Sequence, residues 1–174
     1  FVKFTKHVSG ELVMDAFGET AVPEGIIVEG EIKKETELAA VLKNNLASHD
    51  GRRLSERFVV ATLPEEKGFV HVVQLPKMKP EEARKAARWE IEGVVPLPPE
   101  ELYFDYAILP PAKDSLDHLD LLVTAFPRTI VDSYVRSLEG AGFTPVSLEL
   151  ESQAIARSLW SGENEALILV DLGA

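Results

Sequence analysis

The chain has 174 residues, 45% of them hydrophobic and 27% charged, the balance of an ordinary soluble globular protein with room for one large domain or two small ones. Its 18 Lys+Arg against 29 Asp+Glu leave a net charge of −11, a field that repels phosphate backbones and anionic lipid heads, so nucleic acid is disfavoured as a partner and membrane attachment would go through another protein. Cysteine is absent, which removes disulfides, iron–sulfur clusters and thiolate zinc sites, and the scattered His7, His49, His71 and His118 offer no metal spacing, so no metal residues are assigned. The apolar runs Ile26–Val28, Phe58–Leu63, Leu121–Ala125 and Ala166–Val170 all fall far short of the roughly 20 residues a membrane-spanning helix needs.

In chain order, Phe1–His7 and Glu11–Phe17 read as two strands joined at Val8-Ser9-Gly10. Such a hairpin calls for a third strand, and the chain opens inside a strand-like run, so sequence is expected to be missing there. Gly25–Glu31 is a loop or short strand. Thr36 reads as the N-cap of a helix carrying Leu38, Val41, Leu42 and Leu46 and ending at Ser48-His49-Asp50-Gly51. Phe58–Leu63 reads as a buried strand. Phe69–Leu75 alternates, with Phe69, His71, Val73 and Leu75 on one side, and His71 is better read as a histidine satisfied within the sheet than as a site.

Lys79-Pro80-Glu81-Glu82 starts a helix, because proline suits the first helical position and acids suit the positive end of the dipole; Gly93 and Pro96 stop it. Tyr103–Leu109 and Leu119–Phe126 are strands joined by the loop Pro110–His118. Pro127 opens a helix whose stripe is Ile130, Val131, Tyr134, Val135, Leu138 and Ala141, closed by Gly140 and Gly142. Val146, Leu148 and Leu150 alternate, a short helix with Ala154, Ile155 and Leu159 follows, and Leu167–Val170 reads as a buried strand that stops at Asp171-Leu172-Gly173-Ala174. A buried strand rarely ends a domain one turn later, so sequence is expected to be missing at this end too. Strand–helix alternation at both ends predicts a mainly parallel or mixed sheet covered by helices, interrupted by a strand–helix–strand–strand insertion from Phe69 to Phe126.

Glu90 breaks the helical pattern. It falls on the face of Ala83, Ala86, Ala87 and Ile91, where a lone buried carboxylate would cost several kcal/mol. Either the alanine face is shallow and Glu90 reaches water at its edge, or Glu90 anchors backbone donors in a seam between the insertion and the main sheet. Trp89 projects away from that face, as a lid on a neighbouring pocket or as a partner's hot spot; packing is the favoured expectation.

The runs Val73-Gln74-Leu75-Pro76-Lys77-Met78, Ala87-Arg88-Trp89-Glu90, Val95-Pro96-Leu97-Pro98 and Phe104-Asp105-Tyr106 resemble the PilM family of type IV pilus assembly proteins, relatives of FtsA in the actin-like ATPase superfamily. The similarity continues through Val131-Asp132-Ser133-Tyr134, Gly142-Phe143-Thr144-Pro145 and Ala154-Ile155-Ala156-Arg157 to Val170-Asp171-Leu172-Gly173-Ala174. Ser152 departs from it, standing where the family usually has proline.

The resemblance implies an α/β fold with an α+β insertion. Residues 1–64 and 128–174 would form actin-like subdomain 1A, ribonuclease-H-like, and 65–127 the inserted subdomain 1C. It implies a cytoplasmic scaffold peripheral to the inner membrane that binds the N-terminal tail of a PilN-like single-pass protein in a groove between 1A and 1C, alongside other pilus platform proteins, with self-association left open. The diagnostic run nominates Gln74, Pro76, Trp89 and Glu90 for the tail. The second function is nucleotide-driven: ATP with magnesium in the full-length protein, which is FtsA-like and polymerising or part of a division or secretion machine. Asp171 would then meet magnesium through water and the Gly173 backbone would approach phosphate. No nucleophile–base pair is visible in the sequence, so no catalytic residues are assigned and no cofactor is expected in this stretch.

Overall fold

The computed structural model describes residues 1–45, 56–109, 117–159, 168 and 170. The chain divides into two compact units, Phe1–Val60 with Asp132–Ser147 and Ala61–Val131 with Leu148–Ala174.

In the first unit β1 (Val2–Lys6) and β2 (Leu12–Phe17) form the expected antiparallel hairpin, closed where the His7 N–H donates to Glu11 O at 2.8 Å. A second, tighter hairpin follows from β3 (Ile27–Val28) and β4 (Glu31–Ile32). Its two turn residues, Glu29 and Gly30, both have positive φ (49° and 73°), the conformation whose twist matches paired strands. Helix α1 (Glu35–Asn45) begins one residue before Thr36, which therefore lies inside the first turn rather than capping it; the Lys34 carbonyl takes the Leu38 N–H at 3.0 Å. Ile26, Ile32 and Leu38 form a small core with Val41, Leu42 and Tyr134 packed against it, and the Tyr134 hydroxyl donates to Gly30 O at 2.9 Å.

Strand β5 (Phe58–Leu63) pairs with β9 (Thr144–Leu150). The expected burial of β5 does not hold: Leu63 is buried, but Phe58 is 72% exposed and Val60 is exposed too. An apolar run names a strand without naming what covers each of its faces, and the alternate residues of this one stand open. Val146 on β9 is likewise exposed. Helix α3 (Arg128–Gly140) starts where the proline placed it, yet its most buried positions include Ser133 and Ser137, the latter 1% exposed, which the apolar stripe omitted. The Ser137 hydroxyl is satisfied by Ser133 O at 2.8 Å, so a small polar residue is buried at little cost. On the same side of α3, Ala39 lies 3.1 Å from where a Cβ on Gly140 would stand, so α1 and α3 meet through small residues.

The second unit is built on one antiparallel sheet. Strands β6 (Phe69–Pro76), β7 (Leu102–Ile108) and β8 (His118–Pro127) lie in the order β6-β8-β7. Helix α2 (Pro80–Val94) joins β6 to β7, with Pro80 as its first residue and the Glu82 carboxylate accepting the Lys79 N–H at 3.2 Å; it runs through Gly93 for one more residue. Alternation sends Val73 and Leu75 of β6, Leu121, Val123 and Ala125 of β8 and Leu102 of β7 to one face, where Ala83, Ala87 and Ile91 of α2 close the core. Two of those helix positions are fully buried alanines, which lets α2 lie close to the sheet. On the opposite face the Phe126 ring covers Gly68, and the Arg128 guanidinium stands 4.2 Å from the Tyr103 ring centroid.

Helix α4 (Glu151–Leu159) follows β9 and contains no buried residue. Of the expected final strand, Ile168 and Val170 are described and are exposed; its other positions lie outside the described residues. Asp171 and Gly173, with the helix end at 48–51 and most of the 110–118 loop, lie outside the described residues.

Candidate functional site

A concave feature of the second unit opens between the start of β6 and the last turn of α2. Phe69, His71 and Val73 form its floor with Val123 and Ala125 of β8, while Glu90, Ile91 and Val94 of α2 and Val95 beyond it form its wall. It is a shallow, open hollow with room below its mouth for little more than one water molecule, and its lining is apolar apart from His71 and Glu90. The helical period sets this up: Ala87 and Ile91 pack down on the sheet, and Glu90, one position off that stripe, comes to the rim. Glu90 is exposed, so of its two readings the one that lets it reach water at the edge of a shallow alanine face is the one seen.

Trp89 corrects the favoured expectation. It is 76% exposed, one helical step from Glu90, and does not pack as a lid. Val94, which lines the cleft, is also largely exposed, so the end of α2 offers water two large apolar side chains beside a carboxylate.

The four residues nominated together do not converge. Glu90 lines the cleft and Trp89 neighbours it on the same helix, whereas Gln74 and Pro76 occupy β6 positions that face away from α2. Adjacent residues in the diagnostic run are thus sorted onto opposite sides of one sheet. On that second side the Gln74 amide Nε2 lies 3.3 Å from His118 Nε2, and His118 Nδ1 lies 3.2 Å from Asp117 Oδ1. Asp120 Oδ1 also faces His118 Nε2, at 3.6 Å. The His118 hydrogen bond holds the Asp117 carboxyl below its ordinary value. Of the residues lining the cleft, the sequence reading nominates Glu90 alone for the tail; alternation along β6 places Phe69, His71 and Val73 on one side without marking them as a site. No group of three or more metal-ligating side chains occurs among the described residues, and no described helix is long and apolar enough to cross a membrane.

These features define an α/β protein carrying a strand–helix–strand–strand unit with an apolar, acid-rimmed cleft, and the fold is the actin-like one of PilM proteins. The chain belongs to the family described as type IV pilus assembly protein PilM, matching it over residues 1–174. Among solved structures it is similar to a chain of the "PilM-PilN type IV pilus biogenesis complex", with 27% identity, a TM-score of 0.78, and coverage of 91% of this chain and 46% of that one. It also matches the cytoplasmic domain of EpsL, an inner membrane component of the type II secretion system of Vibrio cholerae, at 15% identity, a TM-score of 0.49, and coverage of 82% of this chain and 48% of that one. The chain therefore spans about half the length of the solved structures it matches. No curated protein matches it significantly.

Proposed function

We infer that this chain belongs to a type IV pilus assembly scaffold at the cytoplasmic face of the inner membrane, and that its cleft takes part of the N-terminal tail of a PilN-like, single-pass membrane partner. The observation that carries this reading is the similarity, over 91% of the chain, to a PilM chain solved in complex with PilN. The cleft supports it on chemical grounds. A short disordered tail must offset the entropy of ordering with a few apolar anchors, and Phe69 and Val94 frame a shallow apolar surface over which one such side chain can pack. Glu90 at the rim gives a basic residue of the tail a counter-charge, in keeping with the positive charge of membrane-proximal cytoplasmic segments and with the net charge of −11. Trp89 supplies an exposed aromatic surface beside it. ATP and magnesium, for the full-length protein, remain part of the proposal; no step is derived through them, since Asp171 and Gly173 lie outside the described residues.

The test is calorimetric titration of the full-length protein with a peptide of the partner's N-terminus. Val94→Glu puts a charge into the cleft at an already exposed position and is expected to weaken binding by about tenfold or more. Glu90→Lys is expected to weaken it less, and less again at high salt. Unchanged affinity in both variants removes the cleft from the tail-binding surface.

A further inference from the structure

The order β6-β8-β7 leaves the sheet of the second unit with two edges, and they are built differently. β7 is guarded. Asp105 sits at its middle, and the Asp105 Oδ1 accepts the Tyr106 N–H at 2.9 Å, occupying a backbone donor with a side chain. A second β7 paired antiparallel about this centre would also bring two carboxylates face to face. β6 carries no such guard. From Gly68 to Pro76 there is no Lys, Arg, Asp or Glu. Its register with β8 runs without a bulge from Phe69↔Ala125 to Pro76↔His118. Among the described residues, no backbone hydrogen bond joins β6 to any segment other than β8. Sheets normally blunt their edges with charges, bulges or interior prolines, and here only Pro76, at the last position, does so.

We propose that β6 is a self-association edge: a second copy of this chain adds its own β6 antiparallel about a two-fold axis at Val72, merging two three-stranded sheets into one. The occupant follows from charge and register. Two copies, each carrying −11, repel across most of their surfaces, and β6 is a stretch on which neither brings a formal charge to the other. About Val72 the strand also complements itself. On the α2 side Phe69 meets Leu75 and His71 meets Val73; on the other side Val70 meets Gln74 and Val72 meets its mate. The contact is isologous, so it closes at two copies instead of growing into fibres.

The chain contains no cysteine, so single introduced thiols report the register directly. Val72 is 53% exposed and tolerates substitution. In the full chain, Val72→Cys is expected to give a disulfide-linked dimer about tenfold faster than Val70→Cys, whose mate stands opposite position 74. Mixing Val70→Cys with Gln74→Cys restores rapid cross-linking. In sedimentation equilibrium, Val72→Lys sets like charges across the axis and is expected to raise the dimer dissociation constant by about tenfold or more, while Asp105→Lys on the guarded edge leaves it unchanged. A chain that stays monomeric at every concentration overturns the proposal, as do equal cross-linking rates for Val72→Cys and Val70→Cys. So does an edge that takes an extended basic peptide, lost in Val72→Lys, in place of a second copy. Phe69, His71 and Val73 belong both to this edge strand and to the cleft floor, but cross-linking and sedimentation are read without peptide and Val94→Glu lies on α2, so this proposal and tail binding fail separately.

Discussion

Gly68 introduces β6, and replacing it with alanine tests how tightly the second unit is packed at that point. A Cβ built on Gly68 would strike the Phe126 ring, with Cε2 at 2.6 Å and Cε1 at 2.8 Å and Cζ closer still. Phe126 is only 4% exposed, so the ring has no solvent to retreat into. The backbone does not object to alanine: Gly68 has φ −109° and ψ 169°, ordinary extended values. Alanine would therefore stabilise by about 0.4–1 kcal/mol through the unfolded chain if contacts were neutral. Against that, forcing a methyl into a filled site costs about 1–3 kcal/mol. Gly68→Ala is expected to lower stability by about 1–2 kcal/mol, read as a lower urea midpoint with an unchanged slope. For a chain of this size, the melting temperature should drop by about 2–4 °C per kcal/mol. Phe126→Leu removes the atoms that the methyl would strike, so in that background Gly68→Ala should cost little more, and the double-mutant cycle isolates the clash. A Gly68→Ala chain as stable as the parent, or more so, refutes the close packing of Phe126 on Gly68.

Two predictions concern the first unit. Tyr134→Phe deletes the part-buried hydrogen bond to Gly30 O and is expected to cost about 0.5–1.5 kcal/mol in urea titration, with no effect on peptide affinity. Glu35 is held below its ordinary carboxyl value by the Arg136 guanidinium, whose Nε donates to Glu35 Oε2 at 2.8 Å and whose Nη2 donates to Oε1 at 2.7 Å. A carboxyl depressed in the folded state contributes stability that is present above its unfolded value and lost as pH falls through the folded one. The difference in melting temperature between the parent and Glu35→Gln should hold near neutrality and close as pH falls through the ordinary carboxyl value and on through the lowered folded one; a gap that persists in acid below both rules out the ion pair as its source.

The elements were legible wherever a local rule has one physical outcome. Proline followed by two acids can open a helix and little else, so the start of α2 was placed at Pro80. The turn at Ser9-Gly10 fixed the first hairpin, and alternation along Phe69–Leu75 assigned Val73 and Leu75 to the core. The site was less legible. Trp89 and Glu90 were singled out because they break the helical stripe, and Glu90 lines the cleft, but Gln74 and Pro76 were joined to them only by proximity in a diagnostic run. Period-2 alternation on β6 already separates Gln74 from Val73, yet nothing local says which side of the sheet a helix will cover.

The sequence alone determined most of the strands and helices, though not the β3–β4 hairpin, together with the absence of thiol chemistry, the net negative charge and the family resemblance, since each of these is set by residue type and spacing within a few positions. Tertiary structure alone decided which faces are shut. It left Phe58 and Trp89 to water, buried Ser137 where small residues let two helices approach, and gathered Phe69, Glu90 and Val94 around one cleft. Those outcomes depend on partners far along the chain, and burial is a property of the pair in contact rather than of either residue.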